Sequence, residues 1–152
     1  MRLAFVSLVV LLSACYTVDT LGPGTTIQEQ QELETARAKW EAASIESYDF
    51  TFSLFCGECD PEAYPARISV RNKVVVLVDP LRSDNPLDET YFDGVGDLLE
   101  TVSVSVYDDE LKVEVDYDSE LGYPTSYSSS CRNANVADCG YSYEITDFEN
   151  RK

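Results

Sequence analysis

The sequence predicts an α+β fold: an antiparallel sheet of about five to six strands with two helices packed on one face, in the order α-β-β-β-α-β-β-β. Three observations carry this expectation. Apolar residues recur at helical spacing in two stretches, first Leu33, Ala36, Trp40 and Ala43, later Phe92, Val95, Leu98, Leu99 and Val102. Between and after them, apolar and polar residues alternate with a period of two in short runs bounded by Gly, Pro, Asn and Asp. Strands with one apolar and one polar side belong to a sheet covered on one face and wet on the other.

Thr26 followed by Glu29 has the spacing of a capping box and opens a helix through about Ser44, with Glu32, Glu34, Lys39 and Glu41 off its apolar stripe. Tyr48, Phe50, Phe52 and Leu54 alternate with Asp49, Thr51 and Ser53, which makes the first strand. Ile68 and Val70 alternate with Arg67, Ser69 and Arg71, and Asn72-Lys73 supplies a hairpin turn. Val74 to Val78 is a continuous β-branched-rich run, the pattern of a central strand partly covered on both faces. Asp79 to Glu89, with Pro80 and Pro86, reads as a loop. The second helix follows, weakened by Gly94 and Gly96. Leu111, Val113, Val115 and Tyr117 alternate with Lys112, Glu114 and Asp116, Asp118 to Pro124 is turn chemistry, and Thr125–Cys131 and Gly140–Phe148 read as the last two strands. The order admits a doubled αβββ unit, with no residue-level repeat behind it.

The N-terminus sets the compartment. Residues 1–14 carry one positive charge (Arg2), an apolar run from Leu3 to Leu12, and small residues Ser13 and Ala14, the three parts of an export signal. As a helix that run spans about 15 Å, roughly half the hydrocarbon thickness of a bilayer. Leu12-Ser13-Ala14-Cys15 resembles the lipobox of bacterial lipoprotein precursors. The resemblance implies a diacylglycerol thioether on Cys15, cleavage before it, and acylation (palmitate or a similar chain) of the new amino group. Two or three chains, at about 0.8 kcal/mol per buried CH₂, anchor a protein where one does not. The alternative is an ordinary secreted protein in which Cys15 would be an odd thiol. Tyr16 is not the Asp that retains such lipoproteins in an inner membrane, so an outer-membrane or cell-surface address is expected. Residues 15–27 (Cys15 and YTVDTLGPGTTI) form a tether whose last twelve residues reach at most about 40 Å, and residues 28–152 form one domain.

The formal net charge is −17, and loss of Arg2 with the signal makes it −17 − 1 = −18. Such a chain repels phosphate backbones, which excludes nucleic-acid binding. The chain has no histidine, which removes Ser-His and Cys-His nucleophile pairs and the commonest zinc ligand.

Trp40, Ile45, Tyr48 and Phe50, then Cys56, Cys59-Asp60-Pro61, then Tyr117-Asp118 and Gly122-Tyr123-Pro124 together resemble a family of small, uncharacterised bacterial secreted and lipid-anchored domains, over about residues 36–148. These are aromatic and turn positions, so the resemblance implies topology and export and no catalysis or cofactor.

Four cysteines remain after Cys15: Cys56, Cys59, Cys131 and Cys139. An even number behind an export signal predicts disulfides. Of the three pairings, the local one is favoured: Cys131–Cys139 across a hairpin and Cys56–Cys59 closing a small loop at the end of the first strand. Cys56-Gly57-Glu58-Cys59 also has the spacing of a thiol–disulfide oxidoreductase, the main enzymatic alternative. That chemistry needs a thiolate at a helix N-terminus, and Glu58 and Asp60 would instead raise a neighbouring thiol. A four-cysteine zinc site suits neither the second spacing nor an oxidising compartment. Asp116, Asp118 and Glu120 resemble the start of a calcium loop, but the glycine falls at Gly122, one position late. A calcium-stabilised surface domain is thus a further alternative, and a solvated acidic surface is the simpler account. Tyr48, Tyr117, Tyr141 and Tyr143 fall in core-facing registers, whereas Tyr64, Tyr107, Tyr123 and Tyr127 fall in turns or on weakly apolar strands, where exposed tyrosine favours interfaces. The sequence therefore points to a non-enzymatic, membrane-anchored domain that binds an envelope protein or scaffolds through its sheet face.

Overall fold

The computed structural model describes residues 27–57, 64–83, 87–133 and 140–151. The export signal, Cys15, most of the tether, Thr26, Cys59 and Cys139 lie outside the described residues. Helix α1 (Ile27–Ala43) is followed by strands β1 (Tyr48–Phe55), β2 (Ala66–Arg71) and β3 (Val74–Pro80), helix α2 (Val95–Val106), and strands β4 (Leu111–Tyr117), β5 (Pro124–Cys131) and β6 (Ser142–Asn150). The expected α-β-β-β-α-β-β-β order is thus the observed one. All six strands form one antiparallel sheet in the order β3-β2-β1-β6-β5-β4.

Local chemistry explains the joints. Asn72 and Lys73 both take positive φ, 51° and 66°, the I′ geometry whose twist matches the flanking strands of a two-residue hairpin. Gly94 caps α2, and the Tyr48 hydroxyl accepts the Val95 N–H at 2.8 Å, so one orphan donor of the helix start is met from the sheet. At the β4–β5 turn the Asp118 carboxylate accepts from the Glu120 and Leu121 amides at 3.0 and 2.7 Å, an Asx-type turn. Gly122 there has φ +78° and lies against α1, where a Cβ would come within 2.2 Å of the Ala36 carbonyl oxygen. Only glycine satisfies both the backbone angle and the contact.

Both helices lie on one face of the sheet. Leu33 of α1 and Val95, Leu98, Leu99, Val102 and Val106 of α2 share a core with Tyr48, Phe50 and Phe52 of β1, Ile68 and Val70 of β2, Tyr127 of β5 and Tyr143 and Ile145 of β6. Each large side chain so buried contributes about 1.5–3 kcal/mol. Trp40 seals one end of this layer, edge-on to Tyr48 at 5.4 Å and to Phe148 at 6.0 Å.

Two expectations are corrected. Val74 to Val78 is not a central strand: β3 is the edge of the sheet, and Val74, Val76 and Leu77 are exposed. The unbroken apolar run arises because a bulge shifts the register between Ser69 and Val70, pairing Leu77 with Ser69 but Val75 with Val70 and leaving Val76 unopposed. Tyr127 is not at the surface. It is fully buried opposite Tyr143, stacked on it at 5.0 Å, and its hydroxyl donates to Ser105 Oγ at 2.8 Å. Tyr64 and Tyr123 pack against the core as well, and of the four tyrosines expected in turns or on weak strands only Tyr107 is exposed.

Candidate binding face

The face of the sheet away from the helices carries the side chains that alternate with the core. On β1 these are Asp49, Thr51 and Ser53, on β2 Arg67, Ser69 and Arg71, and on β3 Val74, Leu77 and Asp79, as the registers Asp49↔Ser69, Thr51↔Arg67, Ser69↔Leu77 and Arg71↔Val74 require. β6 adds Glu149 opposite Asp49.

Asp49 is the centre of this surface and is only 5% exposed. Its carboxylate accepts from Arg71 at 2.7 Å and, through its other oxygen, from Arg151 Nε at 2.7 Å. Arg151 also pairs with Glu149, and Arg67 reaches Glu149 at 3.2 Å and the Asp147 carbonyl at 3.0 Å. Burial alone would raise the Asp49 carboxyl, but hydrogen bonds from Arg71, Arg151 and Ser69, with the charge of Arg71, outweigh it and hold it at about 2. Three guanidiniums are held by carboxylates on this face of a chain with net charge −17, where Arg offers bidentate and stacking contacts to a partner.

Beside this cluster runs the edge strand β3, against which the turn Glu89–Tyr91 packs. Val74, Val76, Leu77 and, just beyond β3, Leu81 are 61%, 49%, 50% and 56% exposed. An edge strand presents unpaired N–H and C=O groups, and apolar side chains along it make it a template for another strand. Arg71, Lys73 and Arg82 flank it, with Asp79 the one acid on β3.

The structure does not bring the other candidates together. Cys56 follows a strand, β1, and Cys59 lies outside the described residues. Asp116 sits on β4, where its carboxylate accepts from the Ser126 hydroxyl at 2.8 Å, and Asp118 is consumed by its turn. Among the described residues no three His, Cys, Asp or Glu side chains are grouped to hold a metal ion, and no helix is long and apolar enough to cross a membrane. The Arg67–Arg71–Asp49–Arg151 cluster was not singled out from sequence. Its strand alternation marked Asp49, Arg67 and Arg71 as outward, but Arg151 joins from 102 positions away.

No curated protein and no solved structure matches the chain. A family of unknown function, DUF6174, matches residues 32–150, which takes in both helices' sheet-facing residues, all six strands and the whole of the arginine–aspartate cluster except Arg151. Nothing in that match indicates an enzymatic activity. On this match the chain belongs to the DUF6174 family.

Proposed function

We propose that this chain is a lipid-anchored domain of the bacterial cell envelope that binds a protein partner along β3 and the adjoining arginine-rich face, without catalysis. The observation that carries the binding half is the exposed apolar edge, Val74, Val76, Leu77 and Leu81. Main-chain pairing along such an edge supplies affinity and the side-chain pockets supply selectivity. The partner segment this surface suits is extended, apolar on alternate residues, and acidic where it passes Arg67, Arg71 and Lys73.

The anchoring half rests on Leu12-Ser13-Ala14-Cys15, and with Tyr16 after the cysteine the address is an outer membrane or cell surface. The disulfides Cys56–Cys59 and Cys131–Cys139 belong to the same reading. In support, neither Cys56 nor Cys131 is a free thiol.

Recovery of the full chain from its own membranes, followed by identification of co-purifying proteins, tests the binding. The double variant Val76→Lys/Leu77→Glu touches only exposed positions; it should lose the partner at least tenfold while unfolding at the wild-type temperature. Equal recovery by both forms refutes the β3 site. For the anchor, Cys15→Ser should move the protein to the soluble fraction and remove metabolically incorporated fatty acid; retention in the membrane refutes it.

A further inference from the structure

At the end of the layer that Trp40 closes, α1, the start of β1, the β2–β3 turn and the start of α2 border a cavity of about 290 Å³. Burial divides its lining into a floor and a rim. Ile45 and Tyr48 are buried, and with the half-buried Trp40 they form an apolar floor. Glu41, Lys73 and Asp97 line the same cavity and are exposed, so two acids and one base stand at its mouth. Asp97 is placed next to the floor: a Cβ on Gly94 would lie 3.0 Å from the Tyr48 hydroxyl oxygen and 3.8 Å from the Asp97 carboxylate. That hydroxyl already accepts the Val95 N–H at 2.8 Å, so the floor offers a ligand apolar surface and not a hydrogen bond. Lys73 pairs with Glu46 at 3.8 Å, the two side chains being 71% and 61% exposed, and a pair that long and that wet holds its ammonium weakly. An apolar floor with a few placed polar groups is the ordinary build of a small-ligand site.

We propose that this cavity binds a free α-amino acid with an apolar side chain, the side chain on the Trp40–Ile45–Tyr48 floor, the ammonium toward Asp97 and Glu41 and the carboxylate toward Lys73. Three features select that chemistry. Charges of both signs at one mouth suit a ligand that carries both, whereas a simple anion meets two acids and a simple cation meets a lysine. The charges are confined to the rim and the floor is apolar, which is the order in which an α-amino acid presents its own groups, both charges on one carbon and the side chain beyond it. The volume admits about nine or ten non-hydrogen atoms at roughly 30 Å³ each, the share of one water in the liquid, which matches leucine or methionine. The site shares Lys73 with the flank of the β3 edge, but it takes a free small molecule and does not depend on a protein binding there.

Trp40 is the single tryptophan of the chain, so its fluorescence reports this cavity. Leucine added to the purified full chain at pH 7, in a buffer free of amines and carboxylates, should change that fluorescence with a Kd in the millimolar range or tighter. Glycine, which has no side chain for the floor, should bind at least tenfold more weakly. N-acetyl-leucine, which has no ammonium, and leucinamide, which has no carboxylate, should each bind at least fivefold more weakly. Asp97→Asn should weaken leucine and leucinamide several-fold and leave N-acetyl-leucine unchanged. Lys73→Asn, which keeps a residue suited to the positive φ of 66°, should weaken leucine and N-acetyl-leucine and leave leucinamide unchanged. Both positions are exposed, and both variants should unfold near the wild-type temperature. The proposal is overturned if leucine leaves the Trp40 fluorescence unchanged, or if any of the three analogues binds as well as leucine. It is equally overturned if Glu114→Gln, which removes a charge from an exposed position of β4, weakens leucine as much as Asp97→Asn does, which would mark diffuse attraction to an acidic protein.

Discussion

Asp49→Asn isolates the arginine cluster, because the substitution keeps the side-chain shape while it removes the charge and turns one of the two accepting oxygens into an amide donor. In the wild type the carboxylate accepts two charge-assisted bonds, from Arg71 and Arg151, each at 2.7 Å. Such bonds contribute about 1.5–3 kcal/mol against about 1 kcal/mol for neutral ones. Both guanidiniums are about half exposed, 40% and 50%, and regain water when the charge is lost, so the loss falls below the sum. The proton linkage gives a ceiling: a carboxyl held at about 2 instead of 3.8 differs by 1.8 units, equivalent to about 2.4 kcal/mol at 1.36 kcal/mol per unit. Discounting for the exposed partners leaves about 1.5 kcal/mol, and a fall in unfolding temperature of roughly 6 °C for a domain of this size. Urea titration at pH 7 should show a lower midpoint with unchanged slope. The sign of the pH dependence follows from a depressed folded-state value. The stabilisation is complete above about pH 4, where the unfolded carboxyl is also ionised, and is lost as pH falls toward 2. Wild type minus variant should therefore be constant from pH 7 to about pH 4.5 and shrink below it. A difference under 0.5 kcal/mol at pH 7, or one that does not change between pH 4.5 and 2.5, would refute the account of this cluster.

Other sites give sharper structural checks. Gly122→Ala sets a Cβ against the Ala36 carbonyl at a positive φ and should cost at least about 3 kcal/mol in the same urea assay. Tyr127→Phe removes one hydroxyl bond to Ser105, which keeps its own bond to the Thr101 carbonyl at 2.9 Å, so a loss of about 1 kcal/mol is expected. Burial, countered in part by the Val95 amide and reinforced by Asp97, pushes Tyr48 up to about 12, and burial with Glu32 pushes Tyr117 up to about 12. Spectrophotometric titration should find these phenols ionising late, and stability should fall as pH rises from about 10 to 12, where the unfolded chain has already lost the protons.

What could be read from the chain and what could not divide along a physical line. Period-two alternation in Tyr48–Leu54 and Leu111–Tyr117 is a local property, and β1 and β4 are where it placed them. Asn72-Lys73 specified its own turn. Neighbours across the sheet are not local. A five-residue apolar run is written alike for a strand buried on both faces and for an edge strand with a bulge, and only the pairing order assigns Val74–Val78 to the edge. Tyr127 misled for the complementary reason: its strand is mostly serine, so hydropathy called it weak, whereas its ring is held inside by Tyr143 across the ladder. The arginine-rich face combines both difficulties, since Arg67 and Arg71 are visible as one side of a strand but their acid comes from β1 and a third arginine from the C-terminal segment.

The two edges of this sheet are treated differently, and the difference bears on what pairs with β3. β4 exposes Lys112, Glu114 and Asp116 in alternation, the charged pattern that discourages a further strand. β3 exposes Val74, Val76 and Leu77, yet a second copy would bring another −17 charges to the contact. At low ionic strength, where the screening length is about 30 Å, that repulsion acts between whole domains; at 1 M salt it is about 3 Å and leaves the edges free to meet. Sedimentation of the soluble domain should accordingly show a monomer in 10 mM salt and reversible self-association in 1 M salt. Val76→Lys/Leu77→Glu should remain monomeric in both. If the variant associates as the wild type does, β3 is not the adhesive edge, and the reading of this strand as the surface kept open for a different protein loses its support.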